Sequence, residues 1–129
     1  MTTPHQAPEK SILIIEDDDF LRGLTVAKLE KEGFRVEVAV DGEEGLEKIQ
    51  TLSPNMILLD LMLPILSGFE IMEKLREAGT LEQQRIVIFS NLGSEEDIRR
   101  GKEFGVEDYL VKSSFTLDEL VEKIKASLA

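Results

Sequence analysis

Short apolar runs alternate with amphipathic stretches along this chain, five of each, with no repeat and no low-complexity segment between them. That alternation is the pattern of an α/β domain. The apolar runs fall at residues 11–15, 35–40, 55–60, 85–90 and 107–112, and each reads as a strand. Four hold an unbroken apolar stretch, at 12–15, 56–59, 86–89 and 109–111, as expected of strands covered on both faces. The second alternates instead, with Val36, Val38 and Val40 against Arg35, Glu37 and Asp41, which predicts an edge strand.

The intervening stretches read as helices with marked starts. Asp41 and Glu44, Ser67 and Glu70, Ser94 and Asp97, and Thr116 and Glu119 each pair a capping side chain with an acid three residues on. Such a pairing satisfies backbone N–H groups that lack a partner within the helix. Leu117, Leu120, Val121, Ile124 and Leu128 define the inner face of the last helix. Phe20, Leu21, Leu24 and Ala27 suggest the inner arc of the first, with Asp18 or Asp19 as its cap. Gly33, Gly79 and Gly105 stand where the first, third and fourth helices should end.

Strand–helix–strand units in one sheet run parallel with right-handed crossovers, so all five strand C-termini lie along one edge. Ligands of such sheets bind outside that edge. The residues reaching it are Glu16 and Asp17 after the first strand, Asp60 at the third, Ser90 at the fourth and Lys112 at the fifth. A single Asp at a strand end is usually a turn or cap residue. Asp60 is different, because Met56-Ile57-Leu58-Leu59 precede it and Leu61-Met62-Leu63-Pro64 follow, where an unpaired carboxylate is costly. Glu16, Asp17, Asp60 and Lys112 sum to a formal charge of −2, which one divalent cation neutralises. Carboxylates without histidine or cysteine favour Mg²⁺, with Mn²⁺ as a substitute, over zinc.

Composition narrows the field further. At 129 residues the chain fits one domain, read as a flexible tail at 1–10 followed by the folded unit at 11–129. The absence of cysteine excludes disulfides, thiolate metal sites and cysteine nucleophiles. The lone histidine, His5, falls in the polar tail and offers no ligand set. A net charge of −11 argues against nucleic-acid or membrane-surface partners. No apolar segment resembles a signal peptide, and the stretch 56–66 is too short to span a bilayer, so the expected location is the cytoplasm.

Four motifs in order carry a resemblance: Ile12-Leu13-Ile14-Ile15-Glu16-Asp17-Asp18, then Leu59-Asp60-Leu61-Met62-Leu63-Pro64 with Gly68, then Val87-Ile88-Phe89-Ser90, then Asp108-Tyr109-Leu110-Val111-Lys112. From Lys10 onward the chain resembles the receiver domains of two-component response regulators, most closely the single-domain, chemotaxis-type kind. The resemblance implies a flavodoxin-like sheet of order 2-1-3-4-5. It implies that Asp60 accepts a phosphoryl group from a sensor histidine kinase or a phosphotransfer protein. Asp17, Asp60 and the Met62 backbone carbonyl would hold Mg²⁺ directly, with Glu16 acting through a metal-bound water. Lys112 would pair with Asp60 and then with the phosphoryl oxygens, on which the Ser90 hydroxyl would close. Tyr109 would follow inward and bias the surface of the fourth helix, fifth strand and fifth helix toward a downstream protein target. The form expected is a monomer or a phosphorylation-linked dimer.

Several positions depart from that family's pattern. Ser113 follows Lys112 where a proline in a cis peptide is usual, and a cis bond before serine costs several kcal/mol more. Asn91 takes the place of a small residue beside Ser90, where it narrows access, bonds a phosphoryl oxygen or is simply a solvated loop amide. Met62 and Leu92 are both apolar and offer nothing to orient a hydrolytic water, which predicts a long-lived phosphoryl state. Two other readings compete: a pseudo-receiver that binds partners without phosphorylation, and a phosphohydrolase of the haloacid dehalogenase type. The second requires an acid at position 62 and a cap domain.

Overall fold

The computed structural model describes residues 9–129, and the expected tail, with His5, lies almost wholly outside them. The strands are β1 (Ser11–Ile15), β2 (Arg35–Ala39), β3 (Met56–Leu59), β4 (Ile86–Ser90) and β5 (Asp108–Val111). The helices are α1 (Asp19–Lys31), α2 (Gly42–Leu52), α3 (Gly68–Glu77), α4 (Glu95–Glu103) and α5 (Leu117–Leu128). All strand pairs are parallel, and the sheet order is β2-β1-β3-β4-β5. The alternating strand β2 is an edge, as its pattern predicts. Every residue of β1, β3 and β4 is buried, which requires helices on both faces.

The pleat sorts side chains onto two cores. Leu13, Ile15, Ile57, Leu59 and Ile88 face a layer made by α2, α3 and α4, through Ile49, Ile71, Met72, Leu75 and Phe104. Ile12, Ile14, Met56, Leu58 and Phe89 face α1 and α5, through Leu29, Leu120, Val121 and Ile124. The helix after β1 therefore leaves on one face and the helix after β3 on the other. Between those neighbouring strands the winding reverses, and their C-terminal ends open a crevice there.

Helix starts follow the capping signals. Asp41, Ser67, Ser94 and Thr116 each accept from the backbone N–H three residues on, with reciprocal capping boxes at Ser67–Glu70 and Thr116–Glu119. Asp18 caps α1 by accepting from Leu21 N at 2.9 Å. Gly33, Gly79 and Gly105 all take positive φ just past their helices.

The inner arc of α1 differs from expectation. Phe20 is 77% exposed and Leu24 41%, while Thr25 and Leu29 are buried and Leu21 and Val26 pack partly beneath them. The inward stripe is rotated by about one residue, roughly 100° on a helix. Thr25 is hidden from an apolar count, yet it buries readily because its hydroxyl donates to the Leu21 carbonyl at 2.7 Å.

Candidate functional site

Three backbone segments meet at the crevice. β1 ends in Glu16-Asp17, β3 ends one residue before Asp60, and β5 leads into a 3₁₀ turn, Lys112–Ser114. Asp60 N donates to the Ile15 carbonyl at 3.1 Å, so the β1–β3 ladder itself sets Asp60 beside Glu16. A return loop supports it from below. Gly68 N donates to the Leu61 carbonyl at 3.0 Å, and a Cβ on Gly68 would stand 2.6 Å from the Asp60 carbonyl oxygen. Only glycine allows α3 to begin that close to the strand end.

Glu16 and Asp60 are each 5% exposed, and Lys112 lies between them. Its Nζ donates to Glu16 Oε1 at 2.7 Å and to Asp60 Oδ2 at 2.9 Å, over the Phe89 ring at 5.8 Å. The remaining carboxylate oxygens take backbone donors: Glu16 Oε2 accepts from Asp18 N and Asp60 Oδ1 from Met62 N, each at 3.1 Å. Burial pushes the Glu16 carboxyl above its ordinary range, and the Asp60 charge adds to that, while the bond from Lys112 acts against it. For Lys112 burial acts to lower the ammonium's value, but the bonds to Glu16 and Asp60 outweigh it and hold the group above its usual value. At neutral pH Lys112 is a fixed cation between the two buried acids.

Asp17 is exposed at the rim, and ligand oxygens of Glu16, Asp17 and Asp60 all lie within 4.8 Å of one another. Three carboxylates against the single charge of Lys112 leave a net negative cluster, and an all-carboxylate donor set suits a hard divalent cation. No peptide among the described residues is cis, so Lys112–Ser113 is trans, and Lys112 reaches both acids all the same. Asn91 is exposed beside Ser90, and among the described residues it forms no hydrogen bond with the acids.

Ser90 is fully buried, and its hydroxyl accepts from Leu92 N at 3.4 Å. Tyr109 is 7% exposed and already stands inward, donating from its hydroxyl to the Leu92 carbonyl at 2.6 Å. Burial, then the charges of Asp97 and Asp60, push its phenol up to about 12. Residues 90–92 are therefore tied to β5 through Tyr109. Met62 is 54% exposed at the mouth. Three residues on, Ile65 is 67% exposed and takes φ +72°, a conformation rare for a β-branched residue. Two contributions had no motif to announce them. One is the second bond of Lys112, to Glu16. The other is Arg22, whose Nη1 donates to the Glu16 carbonyl at 2.9 Å.

A doubly wound parallel sheet thus carries, at its switch point, a lysine and three acids whose oxygens could hold a metal ion. The response regulator receiver domain model matches residues 12–125, and the chain belongs to that family, a family of signalling domains. It is 36% identical over 117 residues to the phosphate regulon transcriptional regulatory protein PhoB of Rhizobium meliloti, covering 91% of this chain and 51% of that protein. It is likewise 36% identical to the DNA-binding dual master transcriptional regulator RpaA of Synechocystis, covering 91% and 48%. The CheY-like receiver domain protein of Methanospirillum hungatei superimposes with a TM-score of 0.83 at 32% identity, covering 94% of each chain. The chain thus spans about half the length of these two transcriptional regulators and nearly all of that receiver domain.

These relatives correct one expectation. Net charge argued against a nucleic-acid partner, yet the RpaA relative is a DNA-binding regulator. The charge of −11 belongs to these 129 residues, whereas the match covers 48% of RpaA, and one half's charge sets no limit on what the other half binds. Among the described residues no helix is long and apolar enough to cross a membrane.

Proposed function

We propose that residues 11–129 form a phosphoryl-accepting switch in which Asp60 is the acceptor and a sensor histidine kinase, or a phosphotransfer protein charged by one, is the donor. The observation that carries this reading is the setting of Asp60. It is a buried carboxylate at the switch point, held by Lys112 at 2.9 Å and within 4.8 Å of two further acids.

Each Asp60 oxygen accepts one hydrogen bond, from Met62 N or from Lys112, which leaves lone pairs free for attack. One oxygen attacks phosphorus in line with the P–N bond of a phosphohistidine. That bond breaks, its electron pair leaves on the imidazole nitrogen, and an acyl phosphate remains on Asp60. Asp17, Asp60 and the Met62 carbonyl would hold Mg²⁺, with Glu16 reaching it through water. When bound, the cation neutralises negative charge spreading over the phosphoryl oxygens. Lys112 exchanges its bond to Asp60 for one to a phosphoryl oxygen while Glu16 keeps it in place.

Ser90 then turns its hydroxyl toward the new oxygens. Its neighbour Leu92 holds the Tyr109 hydroxyl, so movement of 90–92 carries to β5 and biases the surface of α4, β5 and α5. Such a domain, with its kinase-dependent input, belongs in the cytoplasm.

Beryllofluoride with Mg²⁺ tests this reading through Tyr109, the sole tyrosine of a chain without tryptophan. Wild type is expected to bind the mimic with a change in tyrosine fluorescence, and Asp60→Asn to give none. A folded wild type that neither binds the mimic nor changes would instead support a phosphorylation-independent interaction module.

A further inference from the structure

Arg22 stands in the first turn of α1, where a cation opposes the helix dipole and so calls for a specific partner. Its side chain is only 16% exposed, although Asp19, its ion-pair partner, is 89% exposed. An exposed pair of that kind contributes little. The better-protected contact is the other one, from Nη1 to the Glu16 carbonyl at 2.9 Å.

That carbonyl belongs to the peptide joining Glu16 to Asp17. The rest of Glu16 is held as well: its N–H donates to the Ala39 carbonyl at 3.1 Å, and its two carboxylate oxygens accept from Lys112 and Asp18 N. Asp17, by contrast, is exposed at the rim. The direction of its carboxylate therefore depends on the plane of the peptide before it. We propose that Arg22 is a positioning residue of the divalent-cation site, fixing the Glu16–Asp17 peptide so that Asp17 faces Asp60. This inference rests on the reading of the three acids as a cation site. Arg22 touches neither cation nor phosphoryl group. As a bare charge it would repel the cation, so only its directed bond favours binding.

The test is a Mn²⁺ titration of the folded protein, followed by the paramagnetic resonance signal of free ion, with Mg²⁺ as competitor. Supporting groups behind metal ligands typically change affinity about ten- to a hundred-fold, so Arg22→Lys and Arg22→Met should each weaken Mn²⁺ by about ten-fold. Lysine keeps the charge but not the planar fork. Asp19→Asn, which spares the carbonyl bond, should stay within about two-fold of wild type once screening is considered. Arg22→Lys binding like wild type, or Arg22→Met binding more tightly, would overturn the proposal. So would an Asp19→Asn loss equal to that of the Arg22 variants. Thermal unfolding of each variant separates lost affinity from lost fold, and if Arg22→Met does not fold, the Arg22→Lys and Asp19→Asn pair decides. Wild type and Asp17→Asn serve as references. Failure of wild type to bind Mn²⁺ sinks the cation site itself, whereas equal binding by wild type and the Arg22 variants sinks this inference alone.

Discussion

Replacing Lys112 by methionine leaves Glu16 and Asp60 facing each other with no cation between them. Both carboxylates are 5% exposed, and their oxygens lie within 4.8 Å. At an effective dielectric of about 20, two unit charges at that separation repel by about 3.5 kcal/mol. Protonating one of them offers little relief, since at pH 7 a carboxyl with an ordinary value of 4.5 costs about 3.4 kcal/mol to protonate. The variant should thus lose about 3 kcal/mol or more, in line with the roughly 3–5 kcal/mol typical of a buried pair stripped of one partner. Urea unfolding in EDTA measures it, as a midpoint lowered by about 1–3 M for slopes usual at this size. The pH dependence has a fixed sign. Burial already raises Glu16, and loss of the Lys112 bond raises it further. The folded variant then binds a proton that the unfolded chain lacks, so its deficit shrinks as pH falls toward the ordinary carboxyl value. A loss below about 1 kcal/mol, or a deficit that widens on acidification, would refute the reasoning.

Three further predictions follow from single residues. Tyr109 should ionise near 12 in the folded protein and near 10 when unfolded, read cleanly by tyrosinate absorbance. Because the fold favours the neutral phenol, stability should decline as pH climbs from 10 toward 12, and a folded midpoint near 10 would contradict this. Ile65→Gly relieves a left-handed conformation worth about 1–2 kcal/mol. It gives back about 0.4–1 kcal/mol in unfolded-chain freedom. Stability should therefore hold or rise, and a loss above about 1 kcal/mol in urea unfolding would show that this 67%-exposed side chain packs more than it appears. Met62→Asn puts an amide at the crevice mouth that can orient water, so the acyl phosphate should decay faster than in wild type; an unchanged lifetime would end the slow-hydrolysis idea.

The caps and the edge position of β2 were legible because each rests on periodicity or on a local backbone need, whereas the strand order came only with the family resemblance. Ser67 and Thr116 announce their helices with side chains that reach only three residues. The α1 arc was misread because apolar counting passes over Thr25, which hides its hydroxyl on a backbone carbonyl. Strand ends were legible to within a residue or two, enough to bring Glu16, Asp17, Asp60 and Lys112 to one edge. What lay beyond the pattern were contacts between a side chain and a distant backbone. Arg22 on the Glu16 carbonyl and Tyr109 on the Leu92 carbonyl depend on how loops turn, and no spacing rule encodes that. A first-turn arginine was the one available clue, since a helix N-terminus disfavours it. The left-handed Ile65 gave none, because its residue type argues against that conformation.

In the proposed switch Asp60 takes up a phosphoryl group with the help of a divalent cation. Intact mass after incubation with acetyl phosphate and Mg²⁺ tests it most directly, on wild type and Asp60→Asn, each with an EDTA control. One phosphoryl adduct is expected on wild type, none on Asp60→Asn and none with EDTA. An adduct that persists on Asp60→Asn, or that forms equally well in EDTA, would contradict it.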